Sequence, residues 1–124
     1  MFNLDENSRY FLCTMSVNGN MGINGLITAI RSHTPLSPTS GDVFVFFSKN
    51  RKTIKILKWD KEGFLLYQKR LEGGTFQMPI YSTTQTCVEM PWDTFYFILR
   101  GITFDKFRLY TRPLKRNVRT ALYM

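Results

Sequence analysis

Apolar positions along the chain fall into short runs that predict strands and one longer periodic stretch that predicts a helix. A short aromatic run at 9–14, RYFLCT, is typical of a strand, and three more strands are expected at Asp42–Phe47, Thr53–Trp59 and Phe64–Arg70. Both faces of Val43–Phe47 are apolar, which is typical of a central strand covered on both sides. The turn DKEG before Phe64 favours a tight hairpin, with Gly63 in the left-handed position.

Helical spacing occurs at two places. Four apolar residues follow one another at i, i+3, i+4 and i+7, which predicts an amphipathic helix over 21–33: Ile23, Leu26, Ile27 and Ile30. Asn20 is the expected cap, and Pro35 ends the helix near His33 because proline disfavours helical geometry just before it. The segment PWDTFYFILRG at 91–101 predicts a short helix closed by Gly101, and FDKFRLYT at 104–111 has the character of one more strand.

These elements together predict the fold class. We expect an α+β fold in which an antiparallel sheet, built on the meander 42–70, carries one or two packed helices. At 124 residues the chain has the length of one domain, so 1–124 is expected to be a single domain with a basic C-terminal segment at 106–124. The sequence contains no internal repeat and no low-complexity tract.

Alternation in Thr53–Trp59 sets the directions of its side chains. Ile54 and Ile56 point to one face, whereas Lys55, Leu57 and Trp59 point to the other. The loop SKNRK before this strand is therefore expected to project from a two-strand platform with its cations at the tip.

Positive charge is concentrated in two blocks. The formal net charge is +8. Residues 49–70 hold eight Lys or Arg and two acidic residues, which gives +6, and residues 106–124 hold six Lys or Arg and no acidic residue, again +6. The rest of the chain holds three basic and seven acidic residues, or −4, so the sum returns +8. A protein with this distribution attracts polyanions through two local surfaces.

Nucleic acid is a polyanion that these blocks could contact. Basic side chains neutralise phosphates, and a nearby aromatic ring can stack on a base. The candidate binding residues are Lys49, Arg51, Lys52, Lys55, Lys58, Trp59, Lys69, Arg70, Lys115, Arg116 and Arg119. Two simpler interpretations stay open: hairpin tips are often charged only because they are solvated, and a tryptophan at a strand end often closes the edge of a small core.

Composition also bears on location and on catalysis. No stretch approaches the ~20 apolar residues that span a bilayer, and the N-terminus lacks the pattern of a signal peptide, so a cytoplasmic protein with no membrane association is expected. Cys13 and Cys87 are interpreted as two small buried hydrophobic residues. The nine acidic residues are scattered and the chain has one histidine, His33, so we expect no metal site, no cofactor and no enzymatic activity.

Several ordered motifs resemble a known family. They are SPTSGDVFVF at 37–46, IKILKWDKEGF at 54–64 and YQKRLEGGTF at 67–76, with RYFLC at 9–13, GINGL at 22–26 and FILRGI at 97–102. In this combination the chain resembles the TnpB-type accessory proteins of the insertion sequence 66 group of bacterial transposable elements. It departs from that pattern before the first helix, where the family usually has Asp-Met-Arg-Lys and this chain has Asn-Gly-Asn-Met at 18–21.

The resemblance implies a part in transposition, with cutting and joining of DNA done by a separate transposase subunit. The function expected on both grounds is a non-catalytic accessory protein that binds DNA, at element ends or target, or a DNA–transposase complex through the blocks 49–70 and 106–119. The alternative is a protein-interaction module that binds the transposase without touching DNA. RNA is a third ligand that the sequence does not distinguish from DNA, and the oligomeric state stays open.

Overall fold

The computed structural model describes residues 4–81, 85–101 and 108–109. In chain order the elements are β1 (Tyr10–Cys13), α1 (Ile23–His33), β2 (Val43–Phe47), β3 (Thr53–Asp60), β4 (Gly63–Arg70), β5 (Ile80–Tyr81), β6 (Cys87–Met90), α2 (Trp92–Arg100) and β7 (Arg108–Leu109). Five strands form one sheet in the order β4-β3-β2-β1-β6, and β5 pairs with β7 in a second, two-stranded sheet.

The meander expected at 42–70 is present, and its strands begin and end within one residue of the predicted positions. β2 pairs antiparallel with β3, with Val45 opposite Ile56, and β3 pairs antiparallel with β4 along its whole length from Thr53 opposite Arg70 to Asp60 opposite Gly63. Each of these pairs is joined by a short turn, so the local pattern was sufficient to predict them.

The sheet as a whole is mixed, although an antiparallel sheet was expected. β1 pairs antiparallel with β6 but parallel with β2, where Phe11 lies opposite Phe44. A parallel pair needs a crossover connection of a dozen or more residues, and α1 supplies it. The α+β class is confirmed, since the two helices cover this sheet.

The helices lie on opposite faces of the sheet, so β2 is buried on both sides as predicted. On one face Leu26 and Ile30 of α1 pack with Phe44 and Phe46. On the other face Phe95, Ile98 and Leu99 of α2 pack among a larger set of residues, which includes Tyr10, Val43, Val45, Ile54 and Ile56. The helix predicted at 21–33 is therefore confirmed as a helix packed on the sheet.

Two details of the turns differ from expectation. In the DKEG turn it is Lys61, with φ of 60°, that takes the left-handed conformation, because Gly63 is already the first residue of β4 and pairs with Asp60. The N-cap of α1 is Gly22 rather than Asn20. The Asn18 side chain instead accepts a hydrogen bond from the Asn20 amide at 2.8 Å, which folds the chain into a turn before the helix.

The C-terminal end of α2 agrees with the sequence. Gly101 has φ of 77°, and its amide donates to the carbonyl of Ile98, so glycine closes this helix in the left-handed conformation. Of the strand expected at 104–111, only Arg108–Leu109 belongs to the described residues. The remainder of that strand and the rest of the basic segment 106–124 lie outside them.

Candidate nucleic-acid interface

The turn between β2 and β3 carries the first group of cations and is held by its own polar side chains. Asn50 Oδ1 accepts from the Ser48 hydroxyl at 2.8 Å and from the Lys52 amide at 3.0 Å. The Ser48 Oγ in turn accepts from the Thr53 amide at 3.1 Å. Arg51 has φ of 59°, which lets the chain reverse within this short loop. The tip is thus a defined turn that fixes where Lys49, Arg51 and Lys52 leave the backbone.

Neighbouring segments anchor this tip to the protein core. The amide of Leu71 donates to the Lys52 carbonyl and that of Phe76 to the Arg51 carbonyl, both at 2.8 Å. The Phe76 ring is buried and packs on Phe47, with ring centroids 5.8 Å apart. On the opposite side the Val17 amide donates to the Phe47 carbonyl at 3.2 Å. Because the turn is attached to the core in this way, its charges are presented on a rigid support.

The tip cations differ in their surroundings. Lys49 and Arg51 are exposed, and within residues 4–81 and 85–101 neither side chain makes a hydrogen bond or an ion pair. Lys52 is half-buried, and its ammonium lies 3.5 Å from the Gly74 carbonyl. Arg70, opposite Thr53 at the end of β4, is exposed and pairs with Glu72 at 3.2 Å. Since such an exposed pair is worth little in water, Arg70 can exchange Glu72 for another anion at small cost.

A groove of ≈ 840 Å³ lies beside the tip. One wall is the loop of residues 16–19, and the other is formed by the turn and by the end of β4 with the residues after it. The cations that line it are Lys49, Lys52 and Arg70. Among the described residues that line the groove Glu72 is acidic and none is aromatic, so the groove offers charged and polar groups rather than a surface for base stacking.

Lys55 does not belong to this exposed surface, although it was expected to contact phosphate. Its side chain is only 2% exposed, and its ammonium donates to the carbonyl oxygens of Met21 and, at 2.8 Å, of Gly19. Burial lowers the pKa of Lys55, because the charged form loses hydration. The strand alternation placed this side chain on the correct face, but the loop before α1 covers it there.

The contact gives Lys55 a structural role that the sequence did not indicate. Lys55 ties the loop 18–21 to β3, and residues 18 and 19 of that loop form part of the groove wall. Gly19 and Met21 accept these hydrogen bonds through main-chain oxygens, so no side-chain pattern in the sequence marks the contact. The one local signal was a lysine placed between Ile54 and Ile56.

The remaining predicted residues of block 49–70 lie away from the tip. Lys58 and Trp59 are near the other end of β3, roughly 20 Å from Thr53 at ~3.3 Å per residue. Trp59 is half-buried and packs edge-on against Phe64, with centroids 5.0 Å apart, whereas the Lys58 ammonium is 3.4 Å from the Ser8 hydroxyl. Trp59 therefore closes the end of the hairpin and is too distant to stack on a base held at the groove.

Lys69 points away from the groove as well. It lies opposite Ile54, on the face of the sheet covered by α2, and its ammonium donates to the Leu99 carbonyl at 3.1 Å. A cation at the C-terminal end of a helix is stabilised by the helix dipole, so Lys69 has a local structural function. The tail residues Lys115, Arg116 and Arg119 lie outside the described residues, and their role stays a prediction.

Comparison with known proteins identifies the family. The sequence profile described as IS66 Orf2 like protein matches residues 8–109. The chain belongs to this family. The IS66 Orf2-like proteins are an accessory family associated with insertion sequences and are not known as catalysts. The family resemblance drawn from the motifs is thereby confirmed.

Two relatives of this IS66 Orf2-like protein come from Sinorhizobium fredii, and both carry the description of uncharacterized proteins. The protein y4jC is 30% identical over 113 residues, which cover 91% of this chain and 93% of the relative. The protein y4hO is 28% identical over 74 residues, which cover 60% of this chain and 64% of the relative. No solved structure gives a significant match.

Two further observations on the described residues concern metal binding and membrane-spanning helices. Within 4–81 and 85–101 there is no group of three or more His, Cys, Asp or Glu side chains that could hold a metal ion. In the same residues no helix is long and apolar enough to cross a membrane.

Proposed function

We propose that this IS66 Orf2-like protein serves transposition by binding the phosphate backbone of DNA along the groove beside the β2–β3 turn. Lys49, Arg51, Lys52 and Arg70 form the contact surface, which we call the basic rim. The observation that carries the proposal is the rigid turn at 48–52, which presents exposed cations beside an open groove while the buried Lys55 fastens the opposite wall.

The chemistry of the groove favours backbone contacts over base recognition. Cations that neutralise phosphates provide affinity and position a protein on the duplex, whereas base edges and stacked rings provide sequence specificity. The basic rim supplies the former, and Trp59 lies too far away to supply stacking. We therefore expect the accessory protein to bind with little sequence preference, and the transposase to select the element ends.

The test measures affinity for element-end DNA by fluorescence anisotropy across a salt series. Each phosphate contact adds ~0.9 to the slope of log affinity against log salt. The variant Lys49→Ala, Arg51→Gly, Lys52→Ala should bind more weakly and flatten that slope by about two to three units. Glycine replaces Arg51 because the backbone there is left-handed, which alanine tolerates poorly.

A matched control removes the same charge elsewhere. Arg31→Ala, Lys61→Gly, Arg100→Ala also deletes three exposed cations, one of them at a left-handed position, but none lies at the groove. This control should keep the slope of the unmodified protein. Equal losses in the two variants would mean that net charge alone drives binding, and an unchanged rim variant would refute the proposal.

A second candidate function is binding of the transposase without DNA contact. It is favoured by β4, which forms one edge of the five-stranded sheet and bears the half-exposed side chains Phe64, Leu65 and Leu66. An edge strand offers main-chain donors and acceptors to a partner strand. Transposase binding that is insensitive to salt and survives loss of the basic rim would favour this second function.

A further inference from the structure

Cys13 and Cys87 are 74 residues apart in sequence but adjacent in the sheet. They lie opposite each other in the antiparallel pair of β1 and β6, and their sulfur atoms are 3.3 Å apart. Both thiols are free. No local pattern predicts this contact, because neither strand predicts the register of the other.

The register places the two cysteines at a favourable type of cross-strand site. One residue further on, the Thr14 amide donates to the Thr86 carbonyl at 2.8 Å, which makes 14 and 86 a hydrogen-bonded pair. Hydrogen-bonded and non-hydrogen-bonded pairs alternate, so 13 and 87 form a non-hydrogen-bonded pair, with Cα atoms ~4.5 Å apart and side chains close together. Disulfides need a Cα separation of about 4.4–6.8 Å, so the bond can form without moving the strands.

The two thiols differ in access. Cys13 is 2% exposed, whereas Cys87 is half-buried. The hydrogen bond between the two sulfurs lowers the pKa of Cys87, because the Cys13 thiol can donate to the Cys87 thiolate and stabilise it. Reagents in solution are therefore expected to react with Cys87 first. The buried Cys13 sulfur lies 3.3 Å from the Cys87 sulfur and can react with it next.

We propose that Cys13 and Cys87 form a redox-active dithiol that low-molecular-weight disulfides oxidise to a cross-strand disulfide. The Cys87 thiolate attacks one sulfur of glutathione disulfide, forms a mixed disulfide and releases one glutathione thiolate. The Cys13 thiol then gives up its proton, attacks the Cys87 sulfur and expels the second glutathione. The protein loses two electrons and two protons in total, and these convert glutathione disulfide into two glutathione thiols.

The bond should be exchangeable rather than permanent. Cys87 is only half-buried, so thiols in solution can reach its sulfur and reduce the bond. Exposed disulfides are the labile ones, and a disulfide that exchanges with glutathione follows the redox state of the glutathione pool. Oxidation would join the edge strand β6, which leads into α2, covalently to its neighbour β1.

The experiment equilibrates the full reduced chain with mixtures of reduced and oxidised glutathione. Samples are quenched with acid and alkylated with N-ethylmaleimide, and the mass of the intact protein is measured by mass spectrometry. The expected result is one transition from a doubly alkylated protein to an unalkylated protein whose mass is that of the dithiol chain minus two hydrogen atoms. The midpoint of this transition should fall among the mixtures used. Peptide mapping should place the bond between Cys13 and Cys87.

Single variants separate the two roles. Cys13→Ser should accumulate a stable glutathione adduct on Cys87, because no second thiol resolves it, and Cys87→Ser should stay unmodified while folded. The proposal is overturned if the unmodified protein keeps two alkylatable thiols in every mixture. It is equally overturned by a lasting glutathione adduct without the internal bond, or by disulfide-linked dimers in its place.

Discussion

Lys55→Met isolates the contact that fastens the groove wall, because methionine keeps most of the aliphatic stem and removes the ammonium. Two charge-assisted hydrogen bonds disappear, to the carbonyls of Gly19 and Met21. Each hydrogen bond of a charged group contributes roughly 1.5–3 kcal/mol, but the folded variant no longer has to desolvate an ammonium. These two effects oppose each other, so the net loss depends on what happens to the two carbonyls.

Exposure of the loop decides that balance. Gly19 is exposed, so water replaces the bond that its carbonyl loses, whereas Met21 is half-buried. One carbonyl left unsatisfied away from water costs about 1–3 kcal/mol. We therefore expect the free energy of unfolding of Lys55→Met to fall by about 1–3 kcal/mol, measured by urea denaturation at pH 7.

The control for this measurement is Lys49→Met, which removes an exposed ammonium from the tip. Because substitutions at such positions usually change stability by less than ~0.5 kcal/mol, it should unfold like the unmodified protein. Hydrogen exchange at residues 18–21 should accelerate in Lys55→Met and stay unchanged in Lys49→Met. If the two variants are equally stable and exchange alike, the ammonium does not hold the loop, and the reasoning is wrong.

The pH dependence of the same difference gives a second measurement. Burial holds the folded-state pKa of Lys55 below its ordinary value of 10.5. Between these two pKa values the unfolded chain binds more protons than the folded chain, so the stability contributed by Lys55 rises with pH in that window. The pKa values of Tyr10 and Tyr67 are raised by burial and act in the opposite direction, but both tyrosines are present in the variant and cancel in the difference. The advantage of the unmodified protein over Lys55→Met should thus grow as the pH approaches 10.5 from below.

Two further predictions concern the tail and catalysis. Replacing Lys115, Arg116 and Arg119 by alanine should weaken DNA binding less than replacing Lys49, Arg51 and Lys52, because the turn that carries these three cations is held to the core by main-chain hydrogen bonds. A larger loss in the anisotropy assay would move the main interface to 115–119. Purified protein should nick no plasmid DNA in Mg²⁺ or Mn²⁺, because two-metal cleavage needs converging carboxylates, and nicking that disappears on Asp60→Ala would reveal a missed site.

Local patterns predicted the parts of this fold that are formed by neighbouring segments. The β2–β4 meander follows from alternation and from short turns, and the end of α2 follows from a glycine at its C-terminal side. The parallel pairing of β1 with β2 was not predictable in this way. Strands 9–14 and 42–47 carry no local mark of their relative direction, and only the docking of α1 between them fixes it.

The candidate site was predictable only where its residues are consecutive. The tip cations 49–52 sit on a turn whose position the flanking strands determine, so the sequence located them correctly. Lys58, Trp59 and Lys69 are close to the tip in sequence but not in space. Strand length places Lys58 and Trp59 at the far end of β3, and alternation places Lys69 on the face covered by α2. The Cys13–Cys87 contact depends on the register of two strands separated by most of the chain, which no short pattern encodes.

The groove wall 16–19 overlaps, at residues 18 and 19, the segment 18–21 where the sequence motifs differ from the pattern expected for the family. Lys55 binds main-chain oxygens there, so the contact does not depend on which side chains occupy the loop. Asn-Gly-Asn-Met can therefore keep the wall in place although it carries no basic residue. It follows that, among the described residues, the positive charge of the groove rests on the opposite side, at Lys49, Lys52 and Arg70. Any polyanion held there must lie against the turn, which is why neutralising the turn is the decisive test of the interface.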